Sequence, residues 1–526
     1  MVEATVWSVL PPLVAIGLAI ITRKAILSLF LGVWTGAILY TGNVGIIQTF
    51  DWMIAGILAD DGFHVQIILF TLLLGSGVAM IWRLGGALAI RNWAVQRIDS
   101  QRKAGLMAWG LGTGFFFDDY ANTAIVGSTM KDISDNLRIS REKLSYLVDS
   151  TAAPAATLGI SSWVAFQISM INQGYAEIGL PEEEVPGGFD VFLSAWPFNM
   201  YSILSIVMVL CIVVTKRDFG EMLLAERRAA RTGKVNRDDA RPMQDVEGDL
   251  GKPKSDNPRV ATFIVPILVL VTVVLGVAAW TGNGFQGAGA QEFSDNADFT
   301  LALLLGSFAM VASSYALGYA YGILSLEESV DTTIDGFGLM LTAVTILVLA
   351  WSLGEAVSAL ETGKFVSEQI QGVVGEETLP VVVFLAAAFT AFSTGSSWGT
   401  MTILTPIAIP VAWDIAASHE LVSVMVGVIF SGAIFGDHSS PISDTTVLSA
   451  TFSGADLIDH VRTQLYYAVT VALVVVVLLL IWGYTGITPW LLLVLGIVLI
   501  VGLVYALPAI QEQLFNVDPV QEPEYE

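Results

Sequence analysis

Four short runs hold the polar residues that could do chemistry in an otherwise apolar chain. The first is Phe115-Phe-Phe-Asp118-Asp119-Tyr120-Ala-Asn122-Thr123, and the second is Asp149-Ser150-Thr151 ahead of Pro154. The third is Ser393-Thr394-Gly395-Ser396-Ser397-Trp398-Gly399-Thr400, and the fourth is Asp437-His438-Ser439-Ser440-Pro441-Ile442-Ser443-Asp444-Thr445. Carboxylates, hydroxyls and the backbone carbonyls that a proline frees about one turn earlier are hard oxygen ligands, the set that suits sodium. A carboxyl group taken out of water favours its protonated form, and a bound cation opposes that preference, so proton and sodium would compete for one group.

That role falls first on Asp149 and Asp437, with Asp118, Asp119 and Asp444 as further candidates. Asn122, Ser150, Thr151, Thr394, Ser396, Ser439, Ser440 and Ser443 would complete the oxygen shell. Neighbouring helical residues point about 100° apart, so Asp118 and Asp119 cannot both face one site equally. Hydroxyls also hold membrane helices together. Here they stand beside matched carboxylates at expected helix breaks, which favours the ligand role. His438 stands alone in its run, either a proton carrier or a hydrogen-bonding core residue. The lone cysteine, Cys211, excludes a disulfide framework and a cysteine metal cluster. The Asp-Ser-Thr and Asp-His-Ser runs are contiguous and lack the separated triad geometry of a nucleophilic enzyme, so no catalytic residues and no cofactor beyond the transported ions are expected.

The elements that carry these runs must sit in lipid. Of 526 residues, 54% are hydrophobic and 14% charged, too apolar for a soluble chain. Apolar stretches long enough to span begin near residues 5, 25, 65, 143, 191, 260, 300, 337, 421, 464 and 488. Each must be helical, since unpaired backbone groups in lipid cost several kcal/mol. The expected fold is an all-α polytopic membrane protein with about 11–13 transmembrane helices. Arg23 and Lys24 follow the first stretch instead of preceding it, which argues against a removed signal peptide.

Of the 24 Lys and Arg residues, 22 lie in four segments: 23–24, 83–103, 131–143 and 216–259. Positive charge marks cytoplasmic segments, which places the N-terminus outside and the C-terminus inside. The stretch at about 105–130 then has both ends in the cytoplasm and should be a re-entrant hairpin, broken at Gly110, Gly112 or Gly114. The stretch at about 380–413 should be its counterpart from outside, broken near Gly395. The halves also share Trp82-Arg-Leu-Gly85 with Trp351-Ser-Leu-Gly354, Thr113-Gly114 with Thr394-Gly395, and Asp149…Pro154 with Asp437…Pro441.

The expected organisation is an extra helix at 1–24, inverted repeat 1 at 25–214 with a broken helix at about 143–171, and a charged cytoplasmic loop at 215–259. A linking helix and external loop occupy 260–299, inverted repeat 2 spans 300–484 with a broken helix at about 421–452, and 485–526 holds the last helix and acidic tail. Such repeats put their site near the bilayer midplane, where discontinuous helices meet. The net charge of −24 predicts life at high salt, as in a halophilic archaeon. The lipid bilayer is the expected partner, with no nucleic acid and a homodimer left open.

Phe116-Phe-Asp-Asp-Tyr-Ala-Asn122, Asp149-Ser-Thr-Ala-Ala-Pro154, Ser393-Thr-Gly-Ser-Ser-Trp-Gly399 and Gly436-Asp-His-Ser-Ser-Pro-Ile-Ser-Asp444 together resemble the NhaC family of sodium/proton antiporters. The resemblance covers about residues 25–485. It implies sodium/proton exchange or, as in relatives, exchange of malate, lactate or amino acids, and a hairpin-containing carrier with elevator-like motion.

Overall fold

The computed structural model describes residues 5–515 except 23, 59–62, 87, 90–97, 117–118, 160–162, 164–166, 168–169, 172–173, 176–177, 179, 182–183, 243–252, 256–257, 290–291, 294–295, 361–364 and 366–374. Asp118 lies outside the described residues, and of Thr394 only the backbone is described. Among the described residues every regular element is helical. The chain runs through α1 (Leu10–Thr22), α2 (Ala25–Thr41), α3 (Ile46–Leu58), α4 (Phe63–Arg83), α5 (Gln101–Gly114), α6 (Asp119–Asn136), α7 (Arg141–Asp149) and α8 (Ala153–Ala156). It continues through α9 (Gly188–Ala195), α10 (Met200–Thr215), α11 (Gly220–Thr232), α12 (Ala261–Thr281), α13 (Phe299–Ala320) and α14 (Leu326–Ala359). It closes with α15 (Leu379–Thr394), α16 (Ser397–Ala416), α17 (His419–Ser439), α18 (Asp444–Ser453), α19 (Leu457–Thr485) and α20 (Pro489–Phe515).

This is an all-α polytopic membrane protein. Among the described residues, by length and composition, α4, α12, α13, α17, α19 and α20 can each cross a bilayer, and two bent pairs raise the number to as many as eight. The expectation of about 11–13 spans rests on eleven apolar runs, with the two hairpins set apart. The helix of the first run, α1, has 13 residues, while α7, with 9, and α18, with 10, are segments of the broken helices expected at about 143–171 and 421–452. Burial sorts the crossing helices. The window of α17 is 83% buried, that of α12 33% and that of α20 28%, so α17 is enclosed by protein while α12 and α20 face lipid.

Three of the four positively charged segments, 83–103, 131–143 and 216–259, contact one another on one face. Lys254 N donates to Arg83 O at 3.0 Å, and Arg141 N donates to Val235 O at 3.0 Å. The end of α20 reaches the same face, where Gly220 N donates to Gln511 Oε1 at 2.7 Å. Trp280, Tyr484 and Trp490, all exposed, mark the ends of α12, α19 and α20 remote from that face, where amphipathic rings meet lipid headgroups.

Two helix pairs, α5–α6 and α15–α16, are joined by short connections at the positions expected for hairpins. The break in the first falls at the last of the three glycines. Gly110 and Gly112 lie inside α5, which runs unbroken to Gly114, and the chain leaves helical geometry at Phe115. Glycine serves proximity at Gly112, where a Cβ would stand 1.9 Å from Thr151 Oγ1, so α5 can lie directly on the break after α7. In the second pair Gly395 ends α15 with φ +66°, and a Cβ there would meet Ile442 O at 2.5 Å. Both hairpins therefore pack against the helix breaks that follow them.

Candidate ion site

Each half carries an aspartate at a helix end where the backbone breaks before a proline. Asp149 is the last residue of α7; Ala152 then leaves helical geometry (φ −89°, ψ −91°) and Pro154 sits in the first turn of α8. Asp437 lies two residues before the end of α17; Ser440 is extended (φ −86°, ψ 131°), Pro441 follows, and α18 starts at Asp444. Both carboxylates are buried, Asp149 at 0% exposure and Asp437 at 1%.

Asp149 is enclosed by donors from the second half. Gln464 Nε2 donates to Oδ2 at 2.7 Å, His460 Nε2 stands 3.2 Å from the same oxygen, and Thr446 Oγ1 donates to it at 3.2 Å. Ser449 Oγ donates to Oδ1 at 3.3 Å. Gln464 Nε2 also donates to the His438 carbonyl, so one side-chain amide spans the breaks of both halves.

Asp437 is held more openly. Its Oδ2 accepts from Ser397 Oγ at 3.1 Å and weakly from Thr445 Oγ1 at 3.5 Å. Its Oδ1 has no hydrogen-bond partner, nor do the buried hydroxyls of Ser439 and Ser393. Buried polar atoms are nearly always satisfied, so an orphan carboxylate oxygen at a helix break fits an ion or water that completes it. Thr446 Oγ1, which serves Asp149, is also 3.4 Å from the Asp437 backbone carbonyl, so the two carboxylates belong to one polar cluster.

The other expected residues divide. Tyr120 donates to the Asp444 carboxylate and thereby links the first hairpin to α18. Asn122 Nδ2 donates to Thr151 O at 2.9 Å and to Gly112 O, tying the hairpin to the first break. Asp119 is buried and accepts from Trp163 Nε1 at 3.1 Å, and Trp163 packs edge-on against Trp398 of the second hairpin. Ser443 Oγ is 3.0 Å from Thr445 Oγ1. Thr151 Oγ1 bonds Leu147 O at 2.8 Å and the Ser396 carbonyl accepts from Thr400 Oγ1 at 2.9 Å, each within one helical turn, while Ser440 Oγ bonds Phe392 O at 2.8 Å and ties the second break to the second hairpin.

His438 does not stand alone. Its Nε2 is 2.8 Å from Ser150 Oγ and its Nδ1 is 2.8 Å from Tyr201 OH, so it joins the first break to α10. His460 and Gln464 escaped the sequence reading because they open a long apolar helix just after Asp456 and Asp459, where polar residues look like an ordinary cap. Their spacing of four, which puts both on one helix face, was the available signal. Among the described residues no cluster of three or more His, Cys, Asp or Glu could hold a metal ion.

A buried, oxygen-rich break in each half of a helical membrane protein is the kind of polar site that a membrane transporter uses. Residues 155–484 match the Na+/H+ antiporter family, and the chain belongs to it. Membership points to a secondary antiporter and away from a catalytic enzyme. An uncharacterized protein of Haemophilus influenzae is 34% identical over 496 residues, 92% of this chain and 92% of its own. The malate-2H+/Na+-lactate antiporter of Bacillus subtilis is 31% identical over 225 residues, 42% of this chain and 44% of its own. The Na+/H+ antiporter NhaC of Alkalihalophilus pseudofirmus is 28% identical over 144 residues, 27% of this chain and 29% of its own.

Proposed function

We propose that this antiporter exchanges sodium ions for protons across the cytoplasmic membrane. The observation that carries the reading is the orphan Oδ1 of buried Asp437 at a helix break, with Ser397 and Thr445 on the other carboxylate oxygen. Sodium would take its ligands there, and Asp149, enclosed by neutral donors and His460, would share in carrying the proton. Charge patterning supports an N-terminus outside, a cytoplasmic C-terminus and inverted repeats at 25–214 and 300–484. The net charge of −24 supports a high-salt habitat, tested by whether folding survives transfer to low salt.

The Bacillus relative favours a second reading, in which a small organic acid such as malate or lactate is exchanged with coupling ions. The partners of Asp149 and Asp437 described above include no Lys or Arg that would pair with a substrate carboxylate. Transport in reconstituted vesicles with sodium, malate and lactate offered in turn separates the two.

A further inference from the structure

The charged segment that joins the halves is built into the base of the ion site. Helix α11 is amphipathic and buries Met222, Leu223, Ala225, Glu226, Ala229 and Ala230 against the protein. Its charges dock with it. Glu226 Oε1 accepts from Ser140 N at 2.8 Å, and Lys143 Nζ lies 2.6 Å from Asp218 Oδ2 and 3.6 Å from Glu226 Oε2. Arg228 holds Glu142 through two nitrogens, at 3.1 and 2.8 Å. Tyr467 OH of α19 donates to Asp218 Oδ1 at 2.6 Å. Further along, Asn236 Nδ2 donates to Gly454 O at 3.2 Å, Arg241 N donates to Asp456 Oδ2 at 2.9 Å, and Arg237 Nε is 3.0 Å from Asp459 Oδ2.

These contacts fall on three elements that wall one site. Glu142 and Lys143 open α7, which ends at Asp149; Gly454 closes α18, which carries Thr446 and Ser449; Asp456 and Asp459 open α19, which carries His460 and Gln464. Breaking any buried pair would strand a desolvated charge, so the docked state is strongly preferred.

We propose that Lys216–Arg241 is a staple that moves as one body with the ion-carrying helices and fixes Asp149 against its donors from the second half, resting on the reading of Asp149 as part of the transport site. Glu142, Lys143 and Arg237 are then positioning residues that act through α7 and α19. Groups that only orient ligands commonly cost about tenfold or more in ion affinity when lost.

The test is transport by full-length protein in vesicles, with exchange at Tyr146–Asp149 amides followed in parallel. Glu142→Arg should raise the half-saturating cargo concentration about tenfold and speed exchange at those amides, and adding Arg228→Glu, which restores the pair with its charges swapped, should bring both back to within about twofold of wild type. If Glu142→Arg fails to fold, the neutral pair Glu142→Gln with Arg228→Gln replaces it, with the same rise in half-saturation expected. Unchanged half-saturation in a folded variant, or no rescue by the swap, would overturn the staple. Sodium, malate and lactate are each used as cargo, so a wild type that ignores sodium but carries malate refutes the sodium reading and leaves the staple measurable.

Discussion

His460 Nε2 and Asp149 Oδ2 stand 3.2 Å apart with both side chains fully buried, and they come from opposite halves of the chain. A proton taken up by either group changes a contact that holds the halves together. Asp437, by contrast, keeps one oxygen without a protein partner. The two aspartates match in sequence and differ in surroundings, which argues for different duties within one cluster.

Asp149→Asn is therefore expected to abolish coupled proton movement, while His460→Gln, which keeps a polar group near the carboxylate, should retain part of the rate. His460→Ala should lower exchange by about tenfold or more, since it removes one of the buried donors around Asp149. Initial rates of proton movement in vesicles check the order wild type, Gln, Ala, Asn.

Ser439 separates binding from stability. Its hydroxyl has no partner in the protein, so Ser439→Ala should change stability by no more than about 0.5 kcal/mol, as for a substitution that breaks no contact. The half-saturating sodium concentration should still rise several-fold. Thermal melting in detergent alongside sodium titration reads both; a loss of stability with unchanged sodium dependence would place the hydroxyl outside the site.

Gly112→Ala should destabilise the protein by about 1–3 kcal/mol, because its methyl group would be driven into Thr151 Oγ1. Combining it with Thr151→Ala removes the oxygen and should recover part of the loss. Melting temperatures of the two single variants and the double variant give the coupling.

Glu226 lies outside the membrane-spanning helices, and burial pushes its carboxyl above the ordinary 4.5, with Lys143 opposing and Asp218 adding to the shift. A carboxyl raised in the folded state contributes stability that is full below its unfolded value and is lost as pH rises through the folded value. Docking of α11, where Lys143, Asp218, Tyr467 and the Glu142–Arg228 pair surround or flank Glu226, should therefore loosen as pH rises above about 4.5. Hydrogen exchange of Gly220–Thr232 across pH, corrected for intrinsic rates, should show this in wild type and lose the dependence in Glu226→Gln.

The breaks at Asp149 and Asp437 were legible because a carboxylate followed by proline inside an apolar run has few explanations in lipid. The glycine-rich turn was legible in part. Of Gly110, Gly112 and Gly114 only the last falls at the break, because a helix tolerates glycine where another segment must come close, as Gly112 does to Thr151. The segment at 215–259 read only as a charged cytoplasmic loop, because composition cannot show that Asp218 and Glu226 are buried on Lys143. His460 and Gln464 were hidden by distance: their partner Asp149 lies more than 300 residues earlier in the chain.

The central claim is tested most directly by adding sodium outside reconstituted vesicles that enclose a pH indicator, with no organic anion present. Wild type should expel or admit protons opposite to the sodium flux, and Asp437→Asn should not. Proton movement that requires malate or lactate and ignores sodium alone, or undiminished exchange in Asp437→Asn, would contradict it.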